Sequence, residues 1–292
     1  MKGVPERMAE IVLVASMRRS GGTLLANLFD GHPDCNVFPF EDWHTQRKAH
    51  FSALHNFLFP FLPPRSKLYV CGFQNASYQR KLEQWQPESD RAGYMQQLRE
   101  QAARATRVSD FYRDSSELYF RFFHARAPRA LLINHCADLC TLAPWQLRRI
   151  FGSHRMILPV RDPRAVFCSM LHLEHGRFSE RSLPTFCTNW ERSVKRYYLG
   201  DPCVLSLRYE DLLAEPKATM ESLSQGLGIS FSEVLLEPTR QERATEANSS
   251  FERRLGIDPT GVDSWRSRLD ARIRGKIENR LGPVMQRLGY TQ

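Results

Sequence analysis

The chain has no long apolar run, no internal repeat and no low-complexity tract. Its first ten residues are charged, and the apolar run that follows, Ile11 to Ala15, is far too short for a signal-peptide core or a membrane span. Taken as full length, such a chain is expected to be cytoplasmic. It also lacks a C-x-x-C pair. Cys136 and Cys140 are spaced C-x₃-C without a matching second pair, and the total of seven cysteines is odd. That argues against a zinc site or a disulfide scaffold and for a reducing compartment. No cluster of His, Cys, Asp and Glu has metal-ligand spacing, so no metal is expected. No nucleic-acid-binding motif is recognisable, and the arginines are scattered rather than massed, so a nucleic-acid partner is not expected either.

What the chain does have is the composition of a globular protein, 42% hydrophobic and 25% charged, over 292 residues. That length suits one large α/β domain or two small ones. The net charge of +9 and a pI near 9.4 favour an anionic ligand. The positive charge is carried mostly by arginine, whose planar fork suits bidentate phosphate or sulfate recognition.

The informative stretch is Glu10 to Asp34, EIVLVASMRRSGGTLLANLFDGHPD. A β-branched apolar run, Ile11 to Ala15, reads as a buried strand. A small polar segment, Arg18-Arg19-Ser20-Gly21-Gly22-Thr23, follows it. Leu24, Leu25, Leu28 and Phe29 then recur at helical spacing until Gly31, His32 and Pro33 stop the helix. Strand, small-residue loop and helix N-terminus together bind phosphate-like anions, because free N–H groups and the helix dipole both face the ligand. Arg19 and Thr23 would add a charged and a hydroxyl donor. An ordinary nucleotide loop places a lysine before the Ser/Thr at the helix start. Here Gly22 occupies that place and the loop holds no lysine, which tells against an ordinary ATP or GTP hydrolase.

Arg155 to His172 repeats the logic: an apolar strand, then Arg161-Asp162-Pro163-Arg164, then a helix with Pro163 in its tolerant first turn and Ser169 about one and a half turns beyond Arg164. Two further segments are VLSLRYEDLLAEP, Val204 to Pro216, and GVDSWRSRL at Gly261 to Leu269 with MQRLGY near the end.

These four segments, in this order, resemble the sulfotransferases that use 3′-phosphoadenosine 5′-phosphosulfate (PAPS), in motif most like the bacterial, tyrosylprotein and carbohydrate enzymes. Arg-Ser-Gly-x-Thr-Leu-Leu followed by His-Pro-Asp looks like the family's 5′-phosphosulfate loop. The resemblance implies that Arg19, Ser20, Gly21, Gly22 and Thr23 hold the 5′-phosphosulfate, with Arg19 also catalytic. It implies that Arg161 and Ser169 hold the 3′-phosphate, that Tyr209 reaches the nucleotide, and that Ser264, Trp265 and Arg266 fold over it. From residue type alone, Arg161–Asp162 reads equally as a surface ion pair and Trp265 equally as core. Similar enzymes carry a glutamate general base shortly after His-Pro-Asp. Glu41 stands nearest, two residues late, with Asp42 and His44 as fallbacks. Where they carry a lysine after the central strand, this chain has Asn134-His135, so His135 is the candidate to stabilise the leaving phosphate.

Strands alternating with helices give an α/β expectation, a central parallel sheet flanked by helices. The resemblance makes it P-loop-like, akin to the sulfotransferases and nucleotide kinases. A single domain over 1–292 is expected, with insertions at about 45–125 and 230–262 framing an acceptor site. Helices are expected at 46–59, 84–107, 116–125, 144–151, 164–173, 185–199, 211–226 and 269–288. Strands are expected to start at Cys35 and to cover 68–71, 130–134, 155–160 and 203–208. The function implied is transfer of a sulfuryl group from PAPS to a hydroxyl or amine on a small-molecule, carbohydrate or lipid acceptor, without metal. An atypical P-loop small-molecule kinase and a catalytically inactive nucleotide-binding protein are the alternatives. A homodimer is compatible with the sequence, which does not decide the oligomeric state.

Overall fold

Five strands share one sheet in the order β2-β3-β1-β4-β5: β1 (Glu10–Val14), β2 (Cys35–Val37), β3 (Leu131–His135), β4 (His154–Val160) and β5 (Val204–Arg208). β2 runs parallel to β3, and β4 parallel to β5. The computed structural model describes residues 9–39, 76–87, 89–137, 139–173, 178–198, 201–245 and 256–290. β1 lies in the middle because it can be buried on both faces. Ile11, Val12, Leu13 and Val14 are all fully buried, as a continuous apolar parallel strand requires. The chain leaves β1 for β2, returns through β3, and crosses β1 to reach β4. In open α/β sheets such a reversal of strand order marks the end of the sheet at which ligands bind.

The helices are α1 (Gly22–Phe29), α2 (Ala76–Trp85), α3 (Arg91–Arg104), α4 (Val108–His124), α5 (Pro144–Phe151), α6 (Pro163–Leu173), α7 (Leu183–Tyr198), α8 (Tyr209–Ala214), α9 (Pro216–Leu227), α10 (Trp265–Arg268) and α11 (Ala271–Arg287). Two expected helices are each broken in two. The stretch 84–107 holds the end of α2, a gap around Pro87, and α3, which starts where the Asp90 carboxylate accepts from the Gly93 N–H at 2.8 Å. The stretch 211–226 breaks at Glu215, because Pro216 has no N–H to continue α8 and instead opens α9 at its first position. The expected helix at 116–125 begins earlier, at Val108. The helix expected at 46–59 and the strand at 68–71 lie outside the described residues. Among the described residues no helix is long and apolar enough to cross a membrane.

Contacts divide the chain into two compact units. One comprises Met1–Leu13, Pro33–Cys136 and Leu142–Arg155; the other comprises Val14–His32, Ala137–Thr141 and Met156–Gln292. The first has an aromatic core in which Tyr94 and Tyr119 are fully buried, with the Phe123 ring 4.7 Å from that of Tyr94. At its β3 edge Asn134, fully buried, donates to the Tyr112 hydroxyl and to Ser116 Oγ. In the second, Phe167 packs edge-on against Phe186, with ring centroids 4.9 Å apart.

The second unit also ties down the far end of α1. A short hairpin, β6 (Thr239–Arg240) and β7 (Arg243–Ala244), presents the Thr239 hydroxyl and the Glu242 N–H to the buried Asp30 carboxylate at 2.8 and 2.6 Å. Asp30→Ala leaves both donors without that acceptor, and we expect it to cost about 1–3 kcal/mol. Urea denaturation should show this as a lower midpoint at an unchanged slope, with Asp30→Asn falling between the two proteins.

Candidate functional site

The loop after β1 is shaped by two closely spaced departures from ordinary backbone. Arg19 has φ 76° and Gly21 has φ 88°, both left-handed, on either side of Ser20, whose N–H donates to the Met17 carbonyl at 3.1 Å. Gly21 caps α1 with no side-chain hydrogen bond, and the first turn of α1 carries no acidic residue. The positive end of that helix is therefore directed at the loop without a carboxylate of its own. Gly21 is required twice over. Its backbone is left-handed, and a Cβ there would lie 2.2 Å from Cδ2 of the Tyr209 ring.

The turn after β4 meets this loop. Arg161 donates through one terminal nitrogen to the Arg19 carbonyl at 3.0 Å, and its guanidinium stacks 4.7 Å from the centre of the Tyr209 ring. The Arg161 carbonyl accepts from Trp190 Nε1 at 3.1 Å. Arg19 donates from Nε to Ser169 Oγ at 3.1 Å, and Ser169 is only 1% exposed. Two guanidinium groups, a serine hydroxyl, an aromatic face and an uncapped helix start thus converge within one unit.

Asp162 does not pair with Arg161 on the surface. Both Asp162 and Arg164 are buried, and Arg164 grips the carboxylate from Nε at 3.0 Å and from a terminal nitrogen at 2.7 Å. The other terminal nitrogen reaches Glu278 at 2.8 Å. Trp265, 2% exposed, lies between Arg164, at 4.1 Å, and Arg266, at 4.7 Å. Ser264 donates to the Gly261 carbonyl at 2.9 Å, and the exposed Arg266 pairs with Asp263 at 3.0 Å.

His135 ends β3 and is half-buried, in the first unit. Ser20, Gly22 and Thr23 stand in the loop and the first turn of α1. Glu41, Asp42 and His44 lie outside the described residues. Among the described residues no group of three or more His, Cys, Asp or Glu could hold a metal ion.

The family model described as "Sulfotransferase family" matches residues 12–233. The chain belongs to the sulfotransferase family. It is 28% identical over 158 residues to the omega-hydroxy-beta-dihydromenaquinone-9 sulfotransferase Stf3 of Mycobacterium bovis, covering 49% of this chain and 37% of that protein. It is 25% identical over 172 residues to protein-tyrosine sulfotransferase 2 of Gallus gallus, covering 52% of this chain and 46% of that one. The match thus spans less than half the length of these curated relatives. In fold, the chain is similar to the sulfotransferase domain of the Synechococcus PCC 7002 olefin synthase. That likeness has a TM-score of 0.58 and 23% identity over 96% of this chain and 97% of the other. The sulfotransferase domain of the curacin biosynthetic pathway gives a TM-score of 0.56 and 21% identity over 94% and 98%.

Sequence reasoning missed the residues that hold the Arg161 turn from behind. Trp190 is one; Glu210 and Tyr290 are others. Glu210 accepts the Asp162 N–H at 3.0 Å with one oxygen and the Tyr290 hydroxyl at 2.9 Å with the other. The only signal was that Glu210 follows Tyr209. Burial pushes Glu210 above the ordinary carboxylate value of 4.5, against the lowering effect of those hydrogen bonds and of Arg161. The folded protein therefore keeps that proton at a pH where the unfolded chain has released it. Stability from this group falls as pH rises from 4.5 through the raised native value. Glu210→Gln cannot ionise and should lack that decline. Urea midpoints of the two proteins followed upward from about pH 4 should converge or cross; parallel curves would sink the idea.

Proposed function

We propose that this sulfotransferase moves a sulfuryl group from PAPS to an acceptor hydroxyl, releasing adenosine 3′,5′-bisphosphate (PAP). The observation that carries the reading is the meeting of the loop after β1 with the turn after β4, where Arg19, Arg161, Ser169 and the start of α1 converge. A polyanionic nucleotide fits these residues. Arg161 Nε is buried with no hydrogen-bond partner among the described residues.

When bound, PAPS supplies a sulfuryl group already activated by its anhydride link to phosphate. The chain's own work is positioning and charge neutralisation, as in phosphoryl transfer. In this reading the N–H groups from Ser20 to Thr23 and the α1 dipole hold the 5′-phosphosulfate. Arg161 and Ser169 take the 3′-phosphate, and Tyr209 walls the nucleotide. Ser264, Trp265 and Arg266 close over it. His135 steadies the negative charge that develops on the leaving phosphate. Glu41 accepts the proton of the acceptor, which the segments at about 45–125 and 230–262 frame. The two curated relatives are named for a hydroxylated menaquinone and for protein tyrosine, which supports a hydroxyl acceptor over an amine.

PAP should raise the thermal midpoint by mass action, and ATP with magnesium should not. Arg161→Ala or Ser169→Ala should abolish the PAP shift, and activity should survive EDTA. A shift with ATP and magnesium alone would replace this reading with that of a kinase. Separately, His135→Ala should lower turnover far more than it weakens PAP binding, measured by steady-state kinetics beside calorimetry; equal losses would remove His135 from the chemistry.

A further inference from the structure

Both peptide groups of Arg161 are gripped by one buried pair, Glu210 in the first turn of α8 and Tyr290 beyond the end of α11. The Tyr290 hydroxyl lies 3.2 Å from the Val160 carbonyl oxygen and 2.9 Å from Glu210 Oε2. Glu210 Oε1 accepts the Asp162 N–H at 3.0 Å. Tyr290 is 5% exposed, and its own N–H donates to the Met285 carbonyl at 2.9 Å. These contacts impose a proton count. A backbone carbonyl only accepts, and so does an ionised carboxylate. The single phenolic proton can point at one of them, which leaves the other against a bare oxygen inside the protein. A proton on Glu210 Oε2 removes the conflict. The acid then donates to the Tyr290 oxygen, and the phenol donates to Val160. With Glu210 neutral every link of the chain is made; with Glu210 ionised one is missing.

We infer that Glu210 is a neutral carboxylic acid that, with Tyr290, forms the positioning pair for Arg161, and that release of its proton to solvent weakens the hold on an anionic nucleotide. The inference rests on the PAPS reading above. Two effects act in the same direction. Ionisation breaks one link of the chain, so the peptide groups that aim Arg161 lose a restraint. It also sets a negative charge near Arg161, which opposes an anionic ligand. The other charged and titratable groups nearby are Arg208, Tyr209, Asp211 and Asp162. Arg208 stands 4.7 Å from the centre of the Tyr290 ring and 4.0 Å from Asp211, and the Asp162 carboxylate is turned onto Arg164. Arg161 and the hydrogen bonds favour the ionised form of Glu210, but burial outweighs them and raises it, and burial keeps the proton on Tyr290 as well. Affinity for the nucleotide therefore falls as pH rises through the raised Glu210 value.

The test is calorimetric titration with PAP across a series of pH values, for the native protein, Glu210→Gln and Tyr290→Phe. Glutamine reproduces the acid, since its carbonyl accepts the Asp162 N–H and its amide donates to Tyr290. Glu210→Gln should match the native affinity at the acid end and exceed it on the order of 10-fold at the alkaline end, because it has no proton to lose. Comparing the two proteins cancels the titration of the phosphates of PAP itself. Tyr290→Phe should bind PAP more weakly at every pH, since Val160 has lost its donor. Parallel profiles for the native protein and Glu210→Gln would overturn the inference. An infrared difference spectrum between those two proteins at neutral pH should show the carbonyl stretch of a protonated carboxylic acid; carboxylate bands in its place would overturn it equally. If the native protein binds no PAP at any pH, the PAPS reading fails and the link to the nucleotide fails with it, while the infrared spectrum still decides the proton on Glu210. Thermal midpoints without ligand, compared across the variants, separate a misplaced Arg161 from a lost fold.

Discussion

The buried ion pair between Asp162 and Arg164 is the constraint from which the site is built. Two charges removed from water cost several kcal/mol each unless every donor and acceptor finds a partner. Here they do. Arg164 uses its backbone N–H, Nε and one terminal nitrogen on Asp162, gives the other to Glu278, and lays its face on Trp265. Satisfying that pair fixes the turn after β4, and the turn fixes where Arg161 emerges. Trp190 holds the Arg161 carbonyl, and Glu210 holds the N–H of the next residue. The cation of the proposed nucleotide site is thus mounted on a cation and carboxylates that face away from it.

This division of labour separates the arginines of the proposed site from the rest of a strongly basic chain. Arginine is abundant throughout, but exposed arginines such as Arg272 and Arg280 spend their charge on surface glutamates, in pairs of modest worth. Arg19 and Arg161 differ because each is bonded to the segment carrying the other functional groups. Stacking on Tyr209 orders Arg161 further, and an ordered donor loses less entropy on binding.

The first strand, loop and helix were legible because the signals were local and agreed. A short β-branched run, a cluster of small residues and an apolar helical stripe ended by Gly31, His32 and Pro33 all pointed one way. The second anchor was legible for the same reason, with Pro163 marking the first turn of α6. What could not be read depended on distance. Nothing at Arg164 distinguishes it from its neighbours until Glu278, 114 residues away, comes within 2.8 Å. Trp190 and Tyr290 acquire their roles in the same way. The broken helices failed otherwise. Around Pro87 and at Pro216 the helical polar pattern continues on both sides, and the prolines were the only notice that one helix had become two.

The contact of Gly21 with the Tyr209 ring carries a consequence for how such a chain can change. Any side chain at position 21 would overlap the ring, and shrinking residue 209 would relieve the overlap without relieving the left-handed backbone. A variant at 21 therefore needs a second change at 209 and a residue tolerant of positive φ, such as asparagine. Two positions 188 apart in sequence behave as one locus, open only to paired substitution.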